Sequence, residues 1–253
     1  MLTKQRRQYI LEVLKRDGQV VAKTLADELA LSEDTIRRDL RDLAQEGLLQ
    51  RVHGGALPAS PAVVDFPQRQ QIATEAKRLI GRTAAQMIQP HQVIILDGGT
   101  TAVQIARHLP PDLNTTIVTH SPSIAVELAT HKTVEVIIIG GRLFKHSVVA
   151  VGAAAIEALS HIHADLYFMG VTGIHAKVGL STGDLEEAYV KRALSERAAE
   201  TIVLASREKL GVASAYVIAP VTQVSGMIVE PDVPDALVTP LLELGLSVYR
   251  AQA

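Results

Sequence analysis

Apolar residues fall at helical spacing along the first third of the chain and change to short unbroken runs from Val93 onward. Tyr9, Ile10, Val13 and Leu14 line one side of a helix over 4–16, which Gly18 ends. After the extended link Gln19-Val20-Val21, Leu25, Ala26 and Leu29 mark a second helix over 22–30. The turn Ala30-Leu31-Ser32 leads into a third. There Ser32 caps the start, Glu33 and Asp34 suit the positive dipole end, and Ile36, Leu40, Leu43 and Leu48 are expected to face a core. Two short helices across a tight turn predict a helix-turn-helix. The segment Leu48 to Ala56, with Gly54-Gly55 at its turn, reads as a small β-wing.

Pro58, Pro61 and Pro67 with scattered polar residues make 58–72 a linker. Helical spacing returns over 73–88 through Ala76, Leu79, Ile80, Ala84 and Met87. The later apolar runs are 93–96, 116–118, 134–139, 165–171, 201–205, 216–218 and 227–229, and they read as buried strands. Helical patterns at 101–109, 122–130, 152–161, 184–199 and 234–244 lie between many of them. The alternation predicts an α/β domain with a largely parallel sheet. The chain thus divides into a winged helix-turn-helix domain over 1–57, a linker over 58–72 and an α/β domain over 73–253.

Composition adjusts this picture only slightly. A net charge of −2 argues on its own against nucleic-acid binding. The distribution matters more: residues 1–56 hold ten Lys/Arg against nine Asp/Glu, and the remainder fifteen against eighteen. The absence of cysteine excludes disulfides and thiolate metal sites and is compatible with a reducing cytoplasm. No apolar run reaches the ~18 residues that span a bilayer, so no membrane partner is expected. His161 and His163 have one local carboxylate, Asp165, and no cysteine; helix-end polarity explains them better than a metal site.

On the third helix the apolar stripe leaves Thr35, Arg37, Arg38 and Arg41 pointing outward. Paired arginines on a short helix suit phosphate clamping and bidentate contact with guanine edges. Arg51 and His53 would sit on the wing, near phosphates. The plain alternative is a solvated face in which Asp39 and Asp42 pair with the arginines.

A parallel sheet places ligands at the carboxyl ends of its strands. The first such end is Asp97-Gly98-Gly99-Thr100-Thr101, whose glycines admit close backbone approach and whose following helix aims its N–H groups at the same place. It is neither a Walker A loop nor a GxGxxG fingerprint. Further strand ends carry Thr119-His120-Ser121, Gly140-Gly141-Arg142, Gly170-Val171-Thr172-Gly173 and Ser206 to Lys209, while Asp184, Glu186, Glu187 and Lys191 ride on a helix between them. Hydroxyls, glycines and cations converging this way favour an anionic polyhydroxyl ligand. Taken singly, Arg142 and Lys191 read as surface cations.

Arg6, Ile10, Leu14, Ser32, the run Thr35-Ile36-Arg37-Arg38-Asp39-Leu40 and the run Arg51 to Ala56 together resemble the DNA-binding domain of the DeoR family of bacterial transcription regulators. The resemblance implies operator binding and repression of sugar-metabolism genes. Residues 75–230 resemble that family's sensor domain, which is similar in fold to ribose-5-phosphate isomerase and binds phosphorylated sugars. It implies that Asp97 to Thr101 hold a phosphate, with Thr119, Ser121 and Lys209 in reach. Two departures stand out. The family commonly has Thr-Asn-Ser where this chain has Thr119-His120-Ser121, and an Asp near the start of the Lys-Phe-Gly motif where this chain has Ser206 to Gly211. The isomerases' catalytic acids and lysine are absent, with Gly170 to Gly173 and Gly179 to Gly183 in their place. A sugar-phosphate isomerase using Asp184 or Glu187 as base remains the alternative to a repressor without cofactor. Such a repressor would work as a dimer or tetramer, since paired helices meet paired half-sites.

Overall fold

The computed structural model describes residues 2–60 and 64–252; Pro61 of the expected linker lies outside them. The chain opens with α1 (Thr3–Asp17), β1 (Val20–Val21), α2 (Ala22–Leu29) and α3 (Glu33–Gln45), followed by β2 (Leu49–Val52) and β3 (Gly55–Pro58). The three strands form an antiparallel sheet in the order β1-β3-β2. Ile10, Leu14, Leu25, Ile36, Leu40, Leu43 and Leu49 close a small core of their own. Ser32 caps α3, its hydroxyl accepting from the Thr35 N–H at 3.2 Å. Leu48 does not join this core and is 48% exposed. The helix stops at Gln45, so the chain is out of helical phase three residues later and Leu49 takes the inward place.

α1 and α3 are joined by charge as well as by apolar contact. Arg6 is bound to Asp39, and both are buried. Arg7 is bound to Asp42 and reaches Glu46 at 3.2 Å. Asp39 and Asp42 of α3 are therefore satisfied by the arginines of α1.

The segment expected as linker carries a short helix, α4 (Phe66–Arg69), started by Asp65, whose carboxylate accepts from the Gln68 N–H at 3.1 Å. Phe66 is buried in the α/β core, which explains why this proline-rich stretch is ordered locally. Then follow α5 (Thr74–Met87), β4 (Val93–Leu96), α6 (Thr100–Arg107), β5 (Thr115–Thr119), α7 (Pro122–Leu128) and β6 (Val134–Ile138). A hairpin, β7 (Arg142–Phe144) and β8 (Val149–Val151), precedes α8 (Ala153–Leu159) and β9 (Ala164–Gly170). A second hairpin, β10 (Gly173–His175) and β11 (Gly179–Thr182), precedes α9 (Leu185–Glu196) and β12 (Ala198–Leu204). The remainder is β13 (Tyr216–Ala219), β14 (Gly226–Val229), α10 (Asp235–Leu242) and β15 (Ser247–Arg250).

Seven of these strands form one sheet in the order β15-β14-β12-β9-β4-β5-β6, every neighbouring pair parallel. Ile94, Leu96, Phe168 and Leu204 face the layer of α5, α6 and α7; Ile95, Tyr167, Met169 and Val203 face the layer of α8, α9 and α10. Both faces are covered, so the strands read as continuous apolar runs. The chain winds from β4 outward to β6, then returns to place β9 on the other side of β4. That reversal is a topological switch point, and a doubly wound sheet opens a crevice there at the carboxyl ends of the two strands.

Two features differ from the sequence expectation. Tyr216 to Ala219 is a strand but leaves the main sheet to pair antiparallel with β11. The hairpins β7–β8 and β10–β11 and the edge strand β15 were not anticipated, being only three or four residues each.

Candidate functional site

On the winged unit, Arg37, Arg38, Arg41, Arg51 and His53 are all exposed, and Thr35 is half-buried at the start of α3. Arg37 pairs with Glu33 at 2.7 Å. Among the described residues nothing engages Arg38, Arg41 or Arg51. Because Asp39 and Asp42 are spent on α1, they do not neutralise the outer face of α3. The helix thus presents a row of cations beside a wing that carries one more.

The crevice at the switch point is built on Asp97. This carboxylate, fully buried, follows β4 and receives four donors: the Gly98 N–H at 2.8 Å and His120 Nε2 at 2.8 Å on Oδ1, and the Gly170 N–H at 2.7 Å and Lys191 Nζ at 2.5 Å on Oδ2. Burial alone would raise its pKa. The Lys191 ammonium and the His120 ring outweigh burial and hold the carboxyl well below the usual carboxylate range. Lys191 is likewise buried, which would lower its pKa, and Asp97 and Glu187 hold it raised. Glu187 accepts from the Thr182 hydroxyl at 2.7 Å and lies 3.6 Å from Lys191.

Above this floor lies a cleft of about 520 Å³, counted out to its solvent mouth, lined by Arg69, Lys77, Gly98 to Ala102, Gly170 to Thr172, Thr182, Glu187, Lys191, Glu208 and Lys209. Gly99 has φ +122°, a conformation that exposes the backbone at the start of α6, and a Cβ on Gly98 would collide with Val149. Four cations and the N–H groups of α6 therefore meet at one place. Arg69 Nε is buried with no hydrogen-bond partner among the described residues. Lys77 donates to the Arg69 carbonyl at 2.5 Å, and Lys209 to the Leu204 carbonyl at 3.3 Å. Burial pushes both lysines down to about 8, against an opposing pull from Glu208.

Of the residues singled out from sequence, Gly98, Gly99, Thr100, Thr101, Glu187, Lys191 and Lys209 line the cleft. Asp97 does not; it lies beneath the floor with no lone pair to spare. Thr119 and Ser121 are buried one strand away, Ser121 N–H bonded to the Thr119 hydroxyl at 3.1 Å, and the β7–β8 hairpin covers them. Gly141 and Arg142 are exposed on that hairpin, Arg142 as an ordinary surface cation. Gly173 is buried where a Cβ would meet the Val212 carbonyl, a packing requirement within the sheet. Sequence reasoning missed Arg69 and Lys77, which come from the supposed linker and the helix after it.

The two units touch. Val178 fits against Gly18 at the end of α1, where a Cβ would stand 2.5 Å from its methyl group. His175 Nε2 donates to the Lys15 carbonyl at 3.2 Å, its Nδ1 accepting from the Lys177 and Val178 N–H groups, and Lys177 pairs with Asp17 at 2.6 Å. Ser60, just past the wing, donates to the Thr172 carbonyl at 2.5 Å.

A winged helix-turn-helix unit carrying an α/β unit with a cation-lined switch-point cleft defines the class of a ligand-sensing DNA-binding regulator. Residues 6–61 match the DeoR-like helix-turn-helix domain, and residues 72–231 match the DeoR C terminal sensor domain. The chain is 36% identical over 214 residues to the HTH-type transcriptional regulator GlpR of Haloferax volcanii, covering 83% of each. It is 32% identical over 208 residues to the glycerol-3-phosphate regulon repressor of Escherichia coli, covering 82% of each. Ribose 5-phosphate isomerase A of Methanocaldococcus jannaschii is a looser structural likeness, with TM-score 0.41, 16% identity and 54% of each chain covered. The protein belongs to the DeoR family of transcription regulators.

Asp97→Asn keeps the shape of the floor but leaves the Lys191 ammonium buried without its main counter-charge. It is expected to destabilise the α/β unit by ~3–5 kcal/mol at pH 7, read by denaturant unfolding. Because the folded carboxyl is depressed, the wild-type advantage is present above about pH 4 and is lost as pH falls, so the two curves converge in acid. Equal stability at pH 7 would show that Asp97 does not hold this floor.

Proposed function

We propose that this protein represses an operon for the use of a sugar or polyol phosphate, binding operator DNA through residues 1–57 and a phosphorylated effector through residues 73–253. The observation that carries the reading is the meeting of Arg69, Lys77, Lys191 and Lys209 with the start of α6 around Gly98-Gly99. A phosphate on the exposed N–H groups of Gly99 to Thr101 would supply the acceptor that Arg69 Nε lacks. The adjoining groove of Arg69, His146, Ser147, Thr172, Asp184 and Glu187 offers the hydroxyl-binding groups a polyol needs. The glycerol-3-phosphate repressor among its relatives makes glycerol 3-phosphate the first effector to try.

On the DNA side, Arg38 and Arg41 on α3 and Arg51 and His53 on the wing are assigned to the duplex, with Ser32, Thr35 and Arg37 at the start of the helix. Paired half-sites call for a homo-oligomer, a dimer or tetramer. The isomerase alternative is weaker: a base needs a free carboxylate. Asp97 is saturated, Asp184 caps α9 by accepting from the Glu187 N–H at 2.9 Å, Glu187 is held by Thr182 and Lys191, and Glu208 accepts from the Ser206 hydroxyl at 2.5 Å. No helix among the described residues is long and apolar enough to cross a membrane.

The β10–β11 hairpin is the proposed link between the two activities. Its base, at Thr172 and Thr182, lines the cleft, and its tip, at His175 to Val178, holds the end of α1. A ligand changes operator affinity only by binding the two arrangements unequally, typically by ~1–3 kcal/mol.

Arg38→Ala is expected to weaken binding to duplexes selected by the wild-type protein at least about tenfold, with the α/β unit still folded; unchanged gel shifts would remove α3 from the groove. Sulfate, which does not itself titrate near neutrality, should bind with full affinity below about pH 8 and more weakly above it, because a bound anion favours the charged forms of Lys77 and Lys209. Calorimetry showing no proton uptake between pH 7 and 9 would place the anion elsewhere. His175→Ala combined with Lys177→Ala should keep both DNA binding and the binding of glycerol 3-phosphate, or of whichever sugar phosphate raises the melting temperature, while abolishing the effect of one on the other; an intact ligand effect would clear the hairpin of this role.

A further inference from the structure

His120 lies at the end of β5, fully buried, and both of its ring nitrogens meet oxygen. Nδ1 is 2.9 Å from the Ala150 carbonyl, and Nε2 is 2.8 Å from Asp97 Oδ1. A carbonyl oxygen only accepts, so Nδ1 must carry hydrogen. The Asp97 carboxylate already receives the Gly98 and Gly170 N–H groups and the Lys191 ammonium. The Lys191 ammonium on Oδ2 and the two backbone N–H groups favour the ionised carboxylate, and an ionised carboxylate oxygen only accepts, so Nε2, at 2.8 Å from Oδ1, carries hydrogen as well.

We propose that His120 is a buried imidazolium, a positioning residue that locks Asp97 as a spent carboxylate and sets the cleft for a dianion rather than a monoanion. The count of surrounding charge gives the selectivity. Around the cleft and its floor stand four cations, Arg69, Lys77, Lys191 and Lys209, and three carboxylates, Asp97, Glu187 and Glu208. Tyr167, from β9, is neutral there, burial and then Asp97 raising its pKa. Without a charge on His120 the assembly carries one net positive charge; with it, two. A phosphomonoester dianion neutralises two, and a carboxylate or phosphodiester only one. His120 is also tied to the β7–β8 hairpin through backbone and ring: the Ala150 N–H donates to its carbonyl at 2.7 Å, and its Nδ1 donates to the Ala150 carbonyl at 2.9 Å.

The inference rests on the cleft being the anion site, and two measurements separate the claims. In protein labelled with ¹⁵N-histidine, with the His120 ring assigned through its own backbone, both ring nitrogens are expected to be protonated at pH 7.5. A bare nitrogen overturns the inference and needs no variant to be seen. In calorimetry at the same pH, the wild type is expected to prefer sulfate, a dianion, over dimethyl phosphate, a monoanion. In His120→Asn that preference should shrink about tenfold, the scale of one unit charge roughly 10 Å away at an effective dielectric constant of about 20; an unchanged preference overturns the selectivity role. If wild-type sulfate binding leaves the Thr100 and Thr101 amide signals unmoved, the anion site and this inference fall together. If those signals move while His120 has a bare nitrogen, only the inference fails. Should His120→Asn not fold, the nitrogen measurement on the wild type decides.

Discussion

A carboxylate taken out of water must find as many donors as water gave it, and Asp97 does so with groups from four different parts of the chain. Gly98 supplies its own loop, His120 the end of β5, Gly170 the end of β9, and Lys191 the second turn of α9. The carboxylate therefore fixes the spacing of three adjacent strand ends and the height of one helix above them. The cleft is what remains open once those elements are fixed. An apolar residue at 97 could fill the space, but it would leave Lys191 uncompensated and the Gly98 and Gly170 N–H groups without acceptors.

The same tie explains which strand-end residues line the cleft. Strand ends on both sides of the switch point turn apart, and the gap belongs to β4 and β9. Thr119 and Ser121 carry the right chemistry but stand one strand further out, under the β7–β8 hairpin. Their hydroxyls serve local backbone groups instead. A cleft does open at carboxyl ends; the strand order, which no periodicity reveals, decides which ends line it.

Legibility in the sequence followed burial. Val93 to Leu96 and Leu166 to Met169 are covered on both faces, so every position is apolar and the strands announce themselves. Strands such as Arg142 to Phe144 and Gly173 to His175 are too short for any period to show. Leu48 had the right spacing and the wrong place because the helix ended before it. The loop at Gly98 was readable because its glycines and threonines are consecutive. Arg69 and Lys77 were not, because they reach the cleft from two successive helices, the first of them seated by the packing of Phe66. On the winged unit, whether Asp39 neutralised its neighbouring arginines depended on Arg6, thirty-three residues away. A helical wheel of α3 alone cannot contain that answer.

The contact between the two units has the strength that a switch requires. Among the described residues it includes a Lys177–Asp17 pair in which both partners touch solvent, one hydrogen bond from His175 to a helix-end carbonyl, the Ser60–Thr172 bond and the seating of Val178 on Gly18. An exposed ion pair contributes ~0–1 kcal/mol and a neutral hydrogen bond ~0.5–1.5 kcal/mol. A sum of a few kcal/mol matches the ~1–3 kcal/mol by which one ligand commonly biases another site. A broad apolar interface would hold the units in one arrangement whatever occupied the cleft, and no contact at all would leave them independent. In the proposed coupling, these few weak bonds sit at the tip of a hairpin whose base lines the cleft, where a small shift at Thr172 would compete directly with the bonds that hold α1.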